Sequence, residues 1–392
     1  MSELRFYGRD GGRVAIALSF SLDALLENYE TVRRKMIRER HPDFTRTEWA
    51  YLIRFLEAGH LSEVFHRSFG PESGEGIPIG LLRPRERVGL WLPNNVSLLG
   101  PLAVVLISLT GAHLSVKIGS RGRDLCGAFV EYLASRSSPG PLAEWLRGRV
   151  SVAVFDRIDP RNAEMASSSD VRILFGGDEA AKGIEALSHP TSSRGFYFTH
   201  RVSEAWIEPS EASRPDTVES LVKIFSIYGQ AGCTSPQRIM LVGGKREDAV
   251  DLARKMEMAW ESAALTTVDQ HQASQNFLGL QWARANGFES RIVGNNAALL
   301  VLAPAKISFA WSNLGIELQW GNLEDAISTA APNLQTIGYA LRDPFDTHYT
   351  AALARSQASR FVPLAQMHDF GPVWDGEEWW SQLFTRTSFG SG

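Results

Sequence analysis

The sequence predicts an α/β protein in which parallel sheets are covered by helices on both faces. Short apolar runs recur between helix-length segments at Val88–Leu92, Ala112–Lys117, Val152–Phe155 and Val171–Phe175. A strand buried on both faces reads as such a run, whereas a half-exposed strand alternates. The second half repeats the alternation. Helices are predicted at 216–227, 245–264, 274–286 and 323–331, and strands at 238–244, 299–302, 316–320 and 336–340. Strands that alternate with helices imply parallel pairing through crossover connections. The third observation is Leu98–Val116, which holds no Asp, Glu, Lys or Arg and is long enough to span a bilayer. Pro101, Ser108, Thr110, Gly111 and His113 break it instead into a helix, a glycine turn and a strand ending at Lys117, which suits a buried layer of a doubly wound sheet.

The elements begin with a helical N-terminal region of about 70 residues. Ser21 is placed to cap a helix with apolar positions Leu22, Leu25, Leu26, Tyr29, Val32 and Met36. Thr45 and Glu48 have the spacing of a capping box for a second helix. Helices from about Gly122 to Ser135 and from Asp178 to about Leu187 complete the first α/β half. The expected organisation is a helical region plus a nucleotide-binding domain over 1–198, a nucleophile domain over 199–370, and a tail over 371–392. Trp374, Trp379 and Trp380 make that tail aromatic enough to pack on the body.

The 392 residues carry 44% hydrophobic residues and a net charge of −4. That balance gives no reason to expect disorder or nucleic-acid binding. No basic segment followed by an apolar core marks a secretory signal, so the expected location is the cytoplasm, where thiols stay reduced.

Two cysteines cannot build a disulfide framework. Of the two, Cys233 lies in Tyr228-Gly-Gln-Ala-Gly-Cys233-Thr-Ser-Pro-Gln-Arg238, where small neighbours allow a ligand to approach the thiol. An isolated cysteine is more often a small core hydrophobe; this context favours a nucleophile. A helix delivers the chain to the loop, with Asp216 and Glu219 spaced as a capping pair, and a short apolar strand carries it away. Backbone N–H groups at such a junction can face a developing oxyanion. Gly176-Gly177 ends another strand and opens a helix, a turn that suits a pyrophosphate or serves only as a tight connection. No full G-x-G-x-x-G is present.

Four stretches together carry a family resemblance. They are Leu92-Pro-Asn-Asn95-Val with Lys117, Leu174-Phe-Gly-Gly-Asp-Glu179, Gln230-Ala-Gly-Cys233-Thr-Ser-Pro-Gln, and Val362-Pro-Leu-Ala-Gln-Met-His368-Asp-Phe with Trp374-Asp-Gly. In order and spacing the chain resembles, from about Gly80 to Trp380, the LuxC-type acyl-CoA reductases of the aldehyde dehydrogenase superfamily. The resemblance implies an aldehyde-dehydrogenase-like fold of two doubly wound Rossmann-type α/β domains. It also implies reduction of an acyl thioester to an aldehyde through an acyl-cysteine on Cys233. Asn95 matches the asparagine whose amide joins the nucleophile's backbone N–H in the oxyanion hole.

By the same resemblance Lys117 reaches the adenosine ribose. The acidic residue that commonly follows three positions later in NAD-preferring relatives is replaced by Ser120. With Arg121 or Arg123 available for a 2′-phosphate, NADPH is the expected cofactor. Relatives that oxidise aldehydes carry a general-base glutamate in the stretch that here reads Phe198-Thr-His200-Arg-Val-Ser203. Its absence suits an enzyme that must protect its acyl intermediate from water. His200 is the candidate acid near Cys233, although a structural histidine is the plainer reading; His368 reads as structural or as lining the acyl channel. The other histidines lack ligand spacing, so no metal is expected.

The expected partners are an acyl-CoA or carrier-bound thioester, an acyl-transferring protein and a second copy of the chain, with no membrane span. Two other readings stand beside this one. One is a cysteine acyltransferase or thioesterase acting through Cys233 and His200 without nicotinamide chemistry; the other is a non-catalytic interaction subunit.

Overall fold

The computed structural model describes residues 3–9, 12–74, 77–93, 96, 98–120, 124–226, 232–262, 270–294, 298–306 and 315–389. The chain divides into two compact units, Met1–Thr199 with Phe370–Gly392, and His200–Asp369.

Unit one starts with a hairpin ahead of the expected helices: β1 (Glu3–Arg9) pairs antiparallel with β2 (Gly12–Leu18). Both expected caps then form. Ser21 Oγ accepts the Ala24 N–H at helix Leu22–Arg38, and Thr45 and Glu48 make the reciprocal box at helix Arg46–Phe55. The hairpin adds a cap of its own, because Glu3 Oε2 accepts the Leu22 N–H at 2.7 Å.

Six strands follow: β3 (Gly80–Pro84), β4 (Arg87–Trp91), β5 (His113–Ile118), β6 (Val150–Val154), β7 (Val171–Phe175) and β8 (Arg194–Phe198). The last five form a parallel sheet in the order β6-β5-β4-β7-β8. The chain runs outward from β4 through β5 to β6, then crosses back to add β7 and β8 on the other side. This is the doubly wound Rossmann-type order, with its switch point between β4 and β7, and ligands of such sheets bind outside the C-terminal strand ends there.

The charge-free run is a helix, Leu99–Ser108, buried at every position, then Gly111 at φ 72° and β5. Among the described residues no helix is long and apolar enough to cross a membrane. Gly100 allows close helix packing, since a Cβ there would lie 2.9 Å from Cys126 Cβ. Helix Pro141–Arg149, which the sequence reading did not include, precedes β6.

Unit two is one seven-stranded sheet of β9 (Val202–Ile207), β10 (Pro236–Val242), β11 (Glu289–Val293), β12 (Ala298–Pro304), β13 (Gly315–Gly321), β14 (Leu334–Ala340) and β15 (Arg360–Pro363). The order is β11-β12-β13-β10-β9-β14-β15, parallel except for β11 against β12. Helices Pro215–Ser226 and Arg246–Ser262 cover one face, burying Val218, Leu221, Phe225, Leu252 and Met256. Helices Leu323–Ser328 and Thr347–Leu353 cover the other, over Trp206, Met240 and Ile337.

The expected capping pair at Asp216 and Glu219 is not how the first of these helices starts. Asp216 lies inside the first turn, with its carboxylate on Arg214 at 2.9 Å. Its two oxygens take a bidentate pair with the Arg214 guanidinium, and one of them also accepts the adjacent Thr217 N–H at 3.1 Å. The tail belongs to unit one, where β16 (Phe384–Ser388) pairs antiparallel with β3 and completes the sheet β1-β2-β3-β16. Trp380 is fully buried and its indole N–H donates to Leu106 O at 2.7 Å.

Candidate active site

In unit two, Cys233 lies in a turn closed by the Ser235 N–H donating to Gly232 O at 2.9 Å, just ahead of β10. The Cys233 side chain is partly exposed, whereas Thr234 and Ser235 are buried. The turn is held from two directions. Ser203 Oγ, on β9, donates to Cys233 O at 2.7 Å. Thr234 Oγ1 meets His368 Nδ1 at 2.8 Å, and His368 Nε2 meets Ile224 O at 3.0 Å. A carbonyl only accepts, so Nε2 carries the proton and Nδ1 accepts from the Thr234 hydroxyl. The His368 ring therefore ties the helix that enters the loop to the residue after the nucleophile.

Burial pushes the His368 imidazole down to about 4, with its bond to Ile224 O working the other way. The unfolded chain takes up that proton near pH 6.5. Between these values the unfolded state binds more protons than the native one, so stability rises with pH. The contribution is full above about pH 6.5 and is lost as pH falls toward 4, roughly 3 kcal/mol in all. His368→Gln, which cannot titrate, is expected to flatten the pH dependence of denaturant unfolding between pH 4.5 and 6.5. An unchanged slope in the variant contradicts the assignment.

His200 is exposed just ahead of β9, and its carbonyl accepts from Asn333 Nδ2 at 3.3 Å. Among the described residues its ring makes no hydrogen bond or ion pair; the imidazole built into the nucleophile loop is that of His368. The carboxylate next along the chain, Glu204, is buried against the Arg238 guanidinium at 2.6 Å.

In unit one, Lys117 is the fifth residue of β5 and half-buried, with its backbone carbonyl accepting the Leu92 N–H at 2.9 Å. Burial lowers the pKa of its ammonium, and the nearby Asp156 opposes that effect. Ser120, two residues past β5, donates its hydroxyl to Asp156 Oδ1 at 2.8 Å, and Asp156 lies just past β6. Asp156 is the residue that sequence reasoning missed. Its signal was an acid directly after the apolar run Val152–Phe155, which gains meaning only once β6 is placed beside β5.

Gly176 and Gly177 lead from β7 to helix Asp178–Glu185, beside the switch point. Gly177 is the N-cap and provides no side-chain cap, and a Cβ there would meet nothing within 4 Å. The helix start thus opens onto free space, with Asp178 and Glu179 complementing its dipole. Asn95, Arg121 and Arg123 lie outside the described residues, as do Tyr228 to Ala231. Cys126, by contrast, is buried in a helix that packs on Gly100, and burial pushes its thiol up. Among the described residues no three His, Cys, Asp or Glu side chains converge to hold a metal.

Solved structures share this architecture. A proline utilization A variant from Bradyrhizobium japonicum matches with TM-score 0.64 and 14% identity, over 95% of this chain and 43% of that one. Lactaldehyde dehydrogenase from Escherichia coli matches with TM-score 0.62 and 13% identity, over 93% and 86% of the two chains. Betaine aldehyde dehydrogenase from Staphylococcus aureus, solved in complex with NAD+, matches with TM-score 0.63 and 10% identity, over 94% and 84%. At these identities the likeness shows an aldehyde-dehydrogenase-like fold. No curated protein sequence matches the chain significantly. The sequence pattern of the acyl-CoA reductase (LuxC) family matches residues 80–386, which include both the Cys233 turn and the Lys117 strand. On this match the chain belongs to the acyl-CoA reductase (LuxC) family and is an oxidoreductase acting on acyl groups.

Proposed function

We propose that this protein reduces an acyl thioester, carried by CoA or by a carrier protein, to an aldehyde, with Cys233 as acyl acceptor and NADPH as reductant. The observation that carries the reading is the partly exposed Cys233 in a turn braced by Ser203 and by the Thr234–His368–Ile224 chain. A nucleophile works best when its loop is already held in the reacting geometry.

In acylation the Cys233 sulfur bonds to the thioester carbonyl carbon, and the carrier's C–S bond breaks to release its thiolate. Asn95 is assigned the amide that stabilises the oxyanion. A bound nicotinamide would supply hydride, after which the C–S bond to Cys233 breaks and frees the aldehyde. His200, exposed ahead of β9, is assigned proton delivery in that second stage. Glu204 is already engaged by Arg238 and is not a base for water, which suits an intermediate that must survive until reduction. The cofactor would be held by Lys117, by Ser120 with Arg121 at the ribose end, and by the Gly176–Gly177 turn. Three features of unit one support that fit: the switch point between β4 and β7, the half-buried Lys117 and the uncapped, open start of helix Asp178–Glu185.

The domain limits 1–198, 199–370 and 371–392, the cytoplasmic location and the homo-oligomer belong to the same reading. The test is mass spectrometry of the Cys233 peptide after incubation with a panel of acyl-CoAs, run beside steady-state NADPH oxidation. Lys117→Ala should leave acylation nearly intact and raise the KM for NADPH, whereas Asn95→Ala should slow both stages by about 10²–10³. An adduct without NADPH oxidation in the wild type would instead favour a cysteine acyltransferase or thioesterase.

A further inference from the structure

The carboxylate absent from the sequence at Ser120 is supplied in space by a neighbouring strand. Ser120 Oγ donates to Asp156 Oδ1 at 2.8 Å across 36 residues of chain, bridging the C-terminal ends of the parallel neighbours β5 and β6. The Asp156 side chain is exposed, but its backbone is fixed. Asn162 Nδ2 donates to Asp156 O at 3.0 Å and also to Arg157 O and Asp159 O, and Asn162 Oδ1 accepts the Trp91 indole N–H at 3.0 Å. Asp156 also lies close enough to Lys117 to oppose the effect of burial on its ammonium. Lys117, Ser120 and Asp156 thus form one cluster of a cation, a hydroxyl and a fixed carboxylate.

In a Rossmann-type sheet the strand ends on this side of the switch point hold the adenosine ribose. A carboxylate there accepts the 2′-hydroxyl, and it repels a 2′-phosphate. We infer that Asp156, positioned by Ser120, is a specificity-determining residue of the nucleotide site: it faces the adenosine 2′ position, restrains the preference for the phosphorylated cofactor and lets NADH bind as well. The inference rests on the proposal that unit one binds a nicotinamide dinucleotide, and it alters what Ser120 means. The serine does not leave an acid-free pocket; it orients an acid from the next strand.

The test is calorimetric binding of adenosine 2′,5′-bisphosphate and of 5′-AMP, the adenosine halves of the two cofactors, to the full chain, with no turnover involved. Asp156→Asn removes the charge and keeps the shape. It is expected to raise the affinity ratio of the bisphosphate over 5′-AMP at least tenfold. Ser120→Ala frees the carboxylate without removing it and should shift the ratio less. Asp156→Ser serves as a second variant if the amide fails to fold. A wild type that binds both nucleotides, with a ratio changed less than twofold in a folded Asp156 variant, overturns the role of Asp156 alone. A wild type that binds neither nucleotide overturns the nucleotide site and this inference with it.

Discussion

Cys233→Ala is expected to abolish both the acyl adduct and aldehyde production while leaving unit two folded. Cys233 is only partly buried in its turn. The variant retains the Ser235–Gly232 turn bond and the bonds made by the Cys233 carbonyl, the Thr234 hydroxyl and the His368 ring. Loss of activity with an unchanged melting transition therefore reports chemistry, not folding. No residual covalent route is available, because Cys126 is buried and burial disfavours its thiolate. Cys126→Ser should accordingly acylate at Cys233 as the wild type does. Reduction of an acyl-CoA by folded Cys233→Ala would remove the basis of the proposed mechanism.

Much of the fold was legible because its central strands are buried on both faces. Ile239, Met240, Leu241 and Val242 on β10 are all buried, so their hydrophobicity is continuous and visible without knowledge of their partners. Helix starts were legible where a cap is local in sequence, as at Ser21 and at Thr45 with Glu48. The N-terminal hairpin was not, because β2 gains its remaining sheet neighbours from β3 and, beyond that, from β16 near the end of the chain. Neither was the true environment of Asp216, whose carboxylate is shared between the Arg214 guanidinium and the Thr217 N–H.

The site divides along the same line. Cys233 and Gly176–Gly177 could be named from local context, and Lys117 from the family resemblance. The partners that give them a setting could not, since His368 reaches Thr234 across 134 residues and Asp156 reaches Ser120 across 36. Those pairings are fixed by strand order and register, which one sequence does not display.

Register also creates the largest stability effect expected of a single substitution outside the nucleophile turn. Arg238 on β10 is paired in register with Glu204 on β9 and with Glu317 on β13, so one cation lies between two carboxyls at the same level of the sheet. Arg238 Nη2 donates to Glu204 Oε2 at 2.6 Å and to Ala326 O at 2.9 Å, and Nη1 donates to Thr329 Oγ1 at 2.6 Å and to Gln319 Oε1 at 3.2 Å. The Arg238 and Glu204 side chains are only 6% and 4% exposed. Glu204 is buried and Glu317 partly so, and one guanidinium does not balance both of them as carboxylates. Burial pushes the Glu317 carboxyl up to about 8, opposed by Arg238 and reinforced by Glu204, so near pH 7 the trio is mostly uncharged overall.

Arg238→Met removes the cation and leaves Glu204 buried without its partner. Breaking a buried pair in this way costs about 3–5 kcal/mol, more than the pair contributes relative to an apolar replacement of both members. Hydrogen exchange in Val202–Ile207 and Pro236–Val242 reads the opening of unit two directly, and protection there should fall roughly a hundred- to several-thousand-fold in the variant. Replacing Glu204 by Gln in the same chain should restore at least half of that loss, because the uncompensated charge is then gone. A single variant that loses less than about tenfold protection, or a double variant no better than the single one, would mean that the charge balance across β9, β10 and β13 does not stabilise the sheet beneath the Cys233 turn.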